Sequence, residues 1–213
     1  MTQNASMLAP PLPGYEHINR FWNKVEKTVM AKILPGEFYI TDCDEQVSTV
    51  LGSCIAACVR DFASGIGGMN HFMLPEVTQE RIDQGCAQVI GTATRYGNYA
   101  MEHLINAILS HGGRRVNLEF KIFGGGRIIP SMGDVGERNI RFVMDYLALE
   151  HYEVAARDLG GIWPRKIIYS PQTGRVRLKK LEHLHNNTVV DRELNYQDSI
   201  KDVPVESEIE LFE

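Results

Sequence analysis

Cys54 and His71 are the residues whose types and setting most directly suggest chemistry. They stand on two apolar, β-rich runs, Ser48 to Arg60 and Ile66 to Leu74, separated by Asp61-Phe62-Ala63-Ser64-Gly65. Small and polar residues between such runs favour a tight turn, so the segment reads as a β-hairpin. A turn centred between Phe62 and Ala63 sets Cys54 opposite His71, with Cβ atoms roughly 4.5–5.5 Å apart. A bulge at Gly65 would shift that register, and a slip of one residue would throw the two side chains onto opposite faces. Facing each other, the imidazole takes the thiol proton and the imidazolium stabilises the thiolate, a pair that attacks acyl carbons. Gly52 lets backbone approach a bound group closely, and Ser53 and Cys54 supply N–H groups where an oxyanion would sit. A hydroxyl just upstream, from Ser48 or Thr49, would orient the imidazole as a third member. The competing reading is structural: a strand cysteine is often a small buried hydrophobe, and a histidine in an apolar run a hydrogen-bonded core residue.

The elements that must hold this hairpin follow from periodicity and turn chemistry. Ala31 to Thr41 reads as strand interrupted by the turn signal Pro35-Gly36, adding an edge or neighbouring strand to the hairpin's sheet. After Leu74-Pro75 a polar loop, Glu76 to Gly91, borders the site. A helix follows, with Tyr96, Tyr99, Ala100, Leu104, Ile105, Ile108 and Leu109 along one face and Gly112-Gly113 ending it. Asn117 to Phe123 alternates as a strand and leads into Gly124-Gly125-Gly126-Arg127. This run fits neither GxGxxG nor GxxxxGK[ST], so Gly124 and Gly125 read as a close-approach loop beside Cys54 or the bound substrate. Gly136 to His151 is a second amphipathic helix with Ile140, Val143, Met144 and Leu147 inward. Glu153 to Leu159 is a strand leaving through Gly160-Gly161. Lys166 to Ser170 and Arg175 to Leu181 form a hairpin across Pro171-Gln172-Thr173-Gly174. Strands, then helix, strand, helix and strands again give a layered α/β sandwich with a mixed, largely antiparallel sheet, not a doubly wound nucleotide fold.

The chain's 213 residues, 44% of them hydrophobic, suffice for one cored domain, placed at 31–182, with a partly mobile N-terminal extension over 1–30 and an acidic polar tail over 183–213. His17 to Lys27 reads as a short helix or an interaction strip bearing Phe21 and Trp22. A net charge of −5 without a cluster of Lys or Arg argues against nucleic acid. No run approaches the roughly 18 apolar residues that span a bilayer, and the N-terminus lacks a secretory signal, so a cytoplasmic protein without membrane insertion is expected. Cys43, Cys54, Cys58 and Cys86 do not resemble a disulfide framework and read as thiols, with Cys43 an incidental exposed one. His183 and His185 form an HxH without a second cluster of ligands, and Cys54, Cys58 and His71 would make only a weak zinc set. No metal and no cofactor are therefore expected.

Several stretches together resemble the chemoreceptor glutamine deamidases, the CheD family of bacterial chemotaxis. They are STVLGSCIAACVRD followed by GGMNHFMLP, then KILPGEFYIT, RYGNYAMEHLINAIL, KIFGGG, GERNIRFV, DLGG and TGRVRLKKL, covering about Lys32 to Leu181 in order. The resemblance implies an α/β sandwich related to cysteine-hydrolase toxins that deamidate proteins, and a Cys-His-Thr site with Cys54 as nucleophile and His71 as base. The family's hydroxyl residue aligns with Ser48, with Thr49 beside it. Its implied substrates are specific glutamines on the cytoplasmic helices of methyl-accepting chemoreceptors, with methyl-glutamate hydrolysis as well. Its implied partner is a CheC-type phosphatase. Two other classes compete: a module that only binds a chemotaxis partner, and a metal protein.

Overall fold

The computed structural model describes residues 8–75, 87–128, 134–182 and 188–200, with backbone alone for 87–92. Among the described residues, ten strands form two five-stranded sheets. The first holds β1 (Asn19–Asn23), β2 (Thr28–Lys32), β4 (Glu45–Leu51), β9 (Arg165–Ser170) and β10 (Arg175–Lys180), in the order β1-β2-β4-β9-β10. The second holds β3 (Phe38–Thr41), β5 (Ile55–Asp61), β6 (Gly67–Asn70), β7 (Leu118–Gly124) and β8 (Val154–Leu159), in the order β3-β6-β5-β7-β8. Each sheet is mixed and largely antiparallel, with one parallel pair, β2 with β4 and β7 with β8. The helices are α1 (Ala87–Ser110), α2 (Val135–Leu149) and α3 (Thr188–Ile200). The architecture is thus the expected layered α/β fold, built on two sheets where one was expected.

Strand β5 shows why the centre lies where it does. Its sequence IAACVRD is an almost unbroken apolar run, and every residue but Arg60 is buried, as befits a strand covered on both faces. Met101, Leu104, Ile105 and Ile108 of α1 and Val143 and Leu147 of α2 join one core with β5 and with Val47, Leu51, Ile167 and Tyr169 of the first sheet. Each large aliphatic side chain removed from water there contributes about 1.5–3 kcal/mol. Helix α1 ends as its sequence requires, with Gly112 at φ 99° and Gly113 N–H donating to the Ile108 carbonyl.

Three local expectations need correction. Residues His17 to Lys27 contain no helix: Asn19–Asn23 pairs antiparallel with Thr28–Lys32, because an adjacent strand edge supplies the backbone partners that so short a helix would lack. Ser48 to Arg60 is not one strand. The chain breaks at Gly52-Ser53-Cys54 and crosses from the first sheet to the second. The hairpin turn also lies later than expected, closing between Asp61 and Ile66 with Gly65 at φ 81°. Cys58 therefore faces Met69, and Ile55 faces Phe72. This differs by two residues from the expected register, so the face is kept while Cys54 becomes diagonal to His71. The packed fold also includes residues outside 31–182 at both ends, namely β1 with most of β2, and α3.

Candidate active site

The crossing between sheets creates the site. Strand β4 delivers Thr49 and ends at Leu51, and β5 begins at Ile55, so the three residues between them, Gly52, Ser53 and Cys54, run across the seam. Their three carbonyls are all occupied from one side: Gly126 N–H donates to Gly52 O (2.7 Å), Asn139 Nδ2 to Ser53 O (2.9 Å) and Gly125 N–H to Cys54 O (2.8 Å). Their three N–H groups converge on a single carboxylate, that of Glu193 on α3, at 2.7, 2.8 and 3.3 Å. The Ser53 hydroxyl adds a fourth bond at 2.7 Å. Backbone donors fixed in this way form an anion cradle. Gly52 is essential to it, since a Cβ there would overlap the Ile128 side chain and stand 2.7 Å from the Glu193 carboxylate.

Gly124 and Gly125 lie directly behind this loop, as the sequence led us to expect of a close-approach segment. A Cβ on Gly124 would collide with the Cys54 carbonyl oxygen, and both glycines have positive φ, 120° and 67°. The Gly125 N–H donates to Cys54 O, so it braces the loop and does not point into the cradle. Behind it, Arg165 is buried and pairs with Asp158 while donating to the Gly160 carbonyl, which fixes the second glycine turn beside the first.

His71 follows β6, anchored by its N–H donating to Glu37 O (2.9 Å) and its carbonyl accepting from Gly36 N (2.7 Å). Thr49 Oγ1 lies 2.7 Å from His71 Nδ1 and 2.9 Å from the Ile33 carbonyl. A carbonyl can only accept, so the Thr49 hydrogen goes to Ile33 and its oxygen accepts from Nδ1–H. That assignment leaves Nε2 as the unprotonated nitrogen, and Nε2 is buried without a hydrogen-bond partner. Ser48, adjacent on the same strand, points to the opposite face by the alternation of β-structure. Sequence left Ser48 and Thr49 level, and the geometry brings only Thr49 to the imidazole.

Cys54 Sγ, a ring nitrogen of His71 and a Glu193 carboxylate oxygen all lie within 4.8 Å of one another. Burial, reinforced by the Glu193 charge and by a thiol hydrogen bond to that carboxylate, pushes the Cys54 thiol well up. Burial, with a smaller push from Arg192, brings His71 down to about 3. The pair as seen is neutral thiol beside neutral imidazole. Among the described residues this is the one cluster whose donor atoms could meet on a metal ion, but both Glu193 oxygens already accept from the cradle, and an ion would have to break those bonds. Cys58, weighed as a third zinc ligand, faces Met69 on β5 and is outside the cluster. Cys43 is an exposed thiol and Cys54 and Cys58 are buried thiols; Cys86, His183, His185 and most of the loop after Pro75 lie outside the described residues.

Two residues at the site were not found from sequence. Asn139 bridges Ser53 O and the Leu74 N–H (2.9 Å), and its only signal was an amide on the inward side of an amphipathic helix. Glu193 lay in a stretch read as polar tail. The usable signal there is a stripe, Val189, Glu193, Gln197 and Ile200, at helical spacing, all buried.

A buried cysteine, a histidine whose Nε2 has no hydrogen-bond partner and a row of fixed N–H donors, carried on a two-sheet α/β scaffold, are the groups that acyl transfer would require. Residues 73–180 match the family model described as CheD chemotactic sensory transduction. The chain is 50% identical over 205 residues, 95% of each protein, to the probable chemoreceptor glutamine deamidase CheD of Hahella chejuensis. It is 51% identical to the protein of that name from Halorhodospira halophila, over 94% of this chain and 93% of the other. A third relative so named, from Methylobacillus flagellatus, is 46% identical along its whole length. The chain belongs to the CheD family. No helix among the described residues is long and apolar enough to cross a membrane.

Proposed function

We propose that this protein hydrolyses glutamine carboxamides on methyl-accepting chemoreceptors to glutamate and ammonia in the cytoplasm, using Cys54, His71 and Thr49. The observation that carries the reading is the hydrogen-bond relay from His71 Nδ1 through Thr49 to the Ile33 carbonyl, which leaves Nε2 unprotonated on a ring that has a nitrogen within 4.8 Å of the Cys54 sulfur. His71 Nε2 takes the thiol proton as sulfur attacks the amide carbon, and the developing oxyanion is held by the N–H groups of Gly52, Ser53 and Cys54. The imidazolium then protonates the departing ammonia. A water, deprotonated by the same nitrogen, attacks the thioester and regenerates the thiol. Gly124, Gly125, Asn139 and Arg165 hold the loop that carries the sulfur.

The names of the relatives support the amide as substrate and chemoreceptors as its source. Family resemblance extends the reading to methyl-glutamate hydrolysis, which needs only a different leaving group, and to a CheC-type phosphatase partner. The test is ammonia release, with a gain of about one mass unit at glutamine, on a purified receptor cytoplasmic fragment. Wild type should be active and Cys54→Ala inactive. Equal rates for the two would overturn the mechanism.

A further inference from the structure

A protein that acts on another protein's side chain must offer its nucleophile to that side chain, yet Cys54 is 0% and His71 1% exposed. The cover includes a segment of the chain itself. Helix α3 lies over the seam with Glu193 as its inward residue, 1% exposed, and sends a carboxylate into the donors that an acyl oxygen would use. Two further contacts seat it. The Tyr196 ring lies so close to Gly36 that a Cβ there would be 2.9 Å away, and the Tyr196 hydroxyl bonds to the Tyr96 hydroxyl of α1. Glu193 has the side chain of the glutamate that the proposed reaction makes, presented from a helix, with its carboxylate within 4.8 Å of the sulfur.

We propose that α3 is an internal product mimic: the Gly52–Cys54 cradle is the binding site for the target's γ-carboxyl or γ-carboxamide group, and Glu193 fills it until a substrate helix displaces α3. This inference rests on the deamidase reading, since it is that chemistry which makes a glutamate a product. An acid so held competes for the site with every glutamine presented from outside. Its carboxylate, within 4.8 Å of the sulfur, also favours keeping the proton on the thiol and so opposes its transfer to His71. A glutamine introduced in place of Glu193 would lie where the substrate amide lies, and the thiol should attack its Cδ. Ammonia would leave to give a thioester between Cys54 and the introduced side chain, and water would cleave the thioester to glutamate and free thiol.

The test uses the full chain carrying Glu193→Gln, digested with a protease that cuts before Asp191 and Asp198 so that residues 191–197 are read as one peptide with the introduced glutamine inside it. The introduced glutamine should gain about one mass unit with time and become glutamate, while Gln197 in the same peptide remains an amide. The double variant with Cys54→Ala should keep its introduced glutamine. On an added receptor fragment, Glu193→Ala should turn over about tenfold or more faster than wild type, because the charge-assisted bonds that hold the competitor are gone. Tyr196→Ala, which loosens α3 without touching the cradle, should also be faster, and it carries the same reading if Glu193→Ala does not fold. An introduced glutamine that stays an amide in Glu193→Gln chains that deamidate the fragment, or a Glu193→Ala protein that folds but is slower than wild type, would overturn the proposal and leave the deamidase reading standing. Absence of ammonia from every form on every substrate would remove both.

Discussion

Thr49→Val removes one oxygen and little else, and its consequences can be worked from two distances. In the native protein Thr49 Oγ1 donates to Ile33 O at 2.9 Å and accepts from His71 Nδ1 at 2.7 Å. Valine keeps the shape, so the Ile33 carbonyl and Nδ1–H are left buried without partners, at about 1–3 kcal/mol each and about 2–6 kcal/mol together. The imidazole can relieve its share by moving the proton to Nε2, but in that tautomer it cannot accept from Cys54. With a bias of about 1–3 kcal/mol towards the wrong tautomer, and a factor of ten per 1.36 kcal/mol, kcat should fall roughly fivefold to 150-fold. The assay is initial ammonia release at saturating receptor fragment, with thermal melts to establish that each variant is folded. Thr49→Ser restores both bonds and should stay within about threefold of wild type. Ser48→Ala alters a side chain on the other face of β4 and should stay within about twofold. A full rate for Thr49→Val, or a loss confined to Ser48→Ala, would refute the relay and with it the assignment of the base.

Burial holds His71 neutral down to about 3 against an ordinary 6.5, with Arg192 adding to the effect. The native state then binds fewer protons than the unfolded one as pH falls through that window. Stability should therefore be complete above about 6.5 and be lost progressively towards about 3, by up to about 5 kcal/mol at 1.36 kcal/mol per pH unit. Urea titrations should find that loss smaller in His71→Gln. Asn139→Leu removes both hydrogen bonds of the bridge between Ser53 and Leu74 and should cost about 2–5 kcal/mol in the same titrations, with a slower reaction as the cradle loosens. Gly125→Ala drives a methyl group into the Ile140 side chain in a positive-φ position, and should lower the melting temperature through a loss of about 1–3 kcal/mol or more.

What could be read from the sequence and what could not divide along physical lines. The nearness of Cys54, His71 and the glycine loop was legible because its requirements are local: a cysteine and a histidine on two runs joined by one turn, and glycines where backbone meets backbone. The strands and helices from residue 92 to 180 were legible from periodicity, whereas the first helix begins at Ala87, inside the stretch read as a polar loop ending at Gly91. The break at Gly52 was not, since an apolar run reads the same whether it continues in one sheet or crosses to another. Nor could alternation choose Thr49 over Ser48 until the face of β4 was known. The pairing of β4 with β9, the parallel pairing of β2 with β4 and the seating of α3 all depend on contacts between segments that no local pattern joins. Glu193 meets Gly52 across 141 positions, and no short-range pattern carries that information.

The relay from imidazole to threonine to a peptide carbonyl contains no formal charge. Where an aspartate in that place would draw the imidazole towards its cationic form before any target arrived, a hydroxyl and an amide dipole orient the ring and leave it uncharged. The sulfur, which burial and the Glu193 carboxylate also keep protonated, rests as a thiol, and on the mechanism proposed above it acquires its negative charge only while a bond to carbon is being made. On that mechanism selectivity begins before recognition of any sequence: electrophiles that do not reach the backbone donors of the seam meet only a protonated thiol.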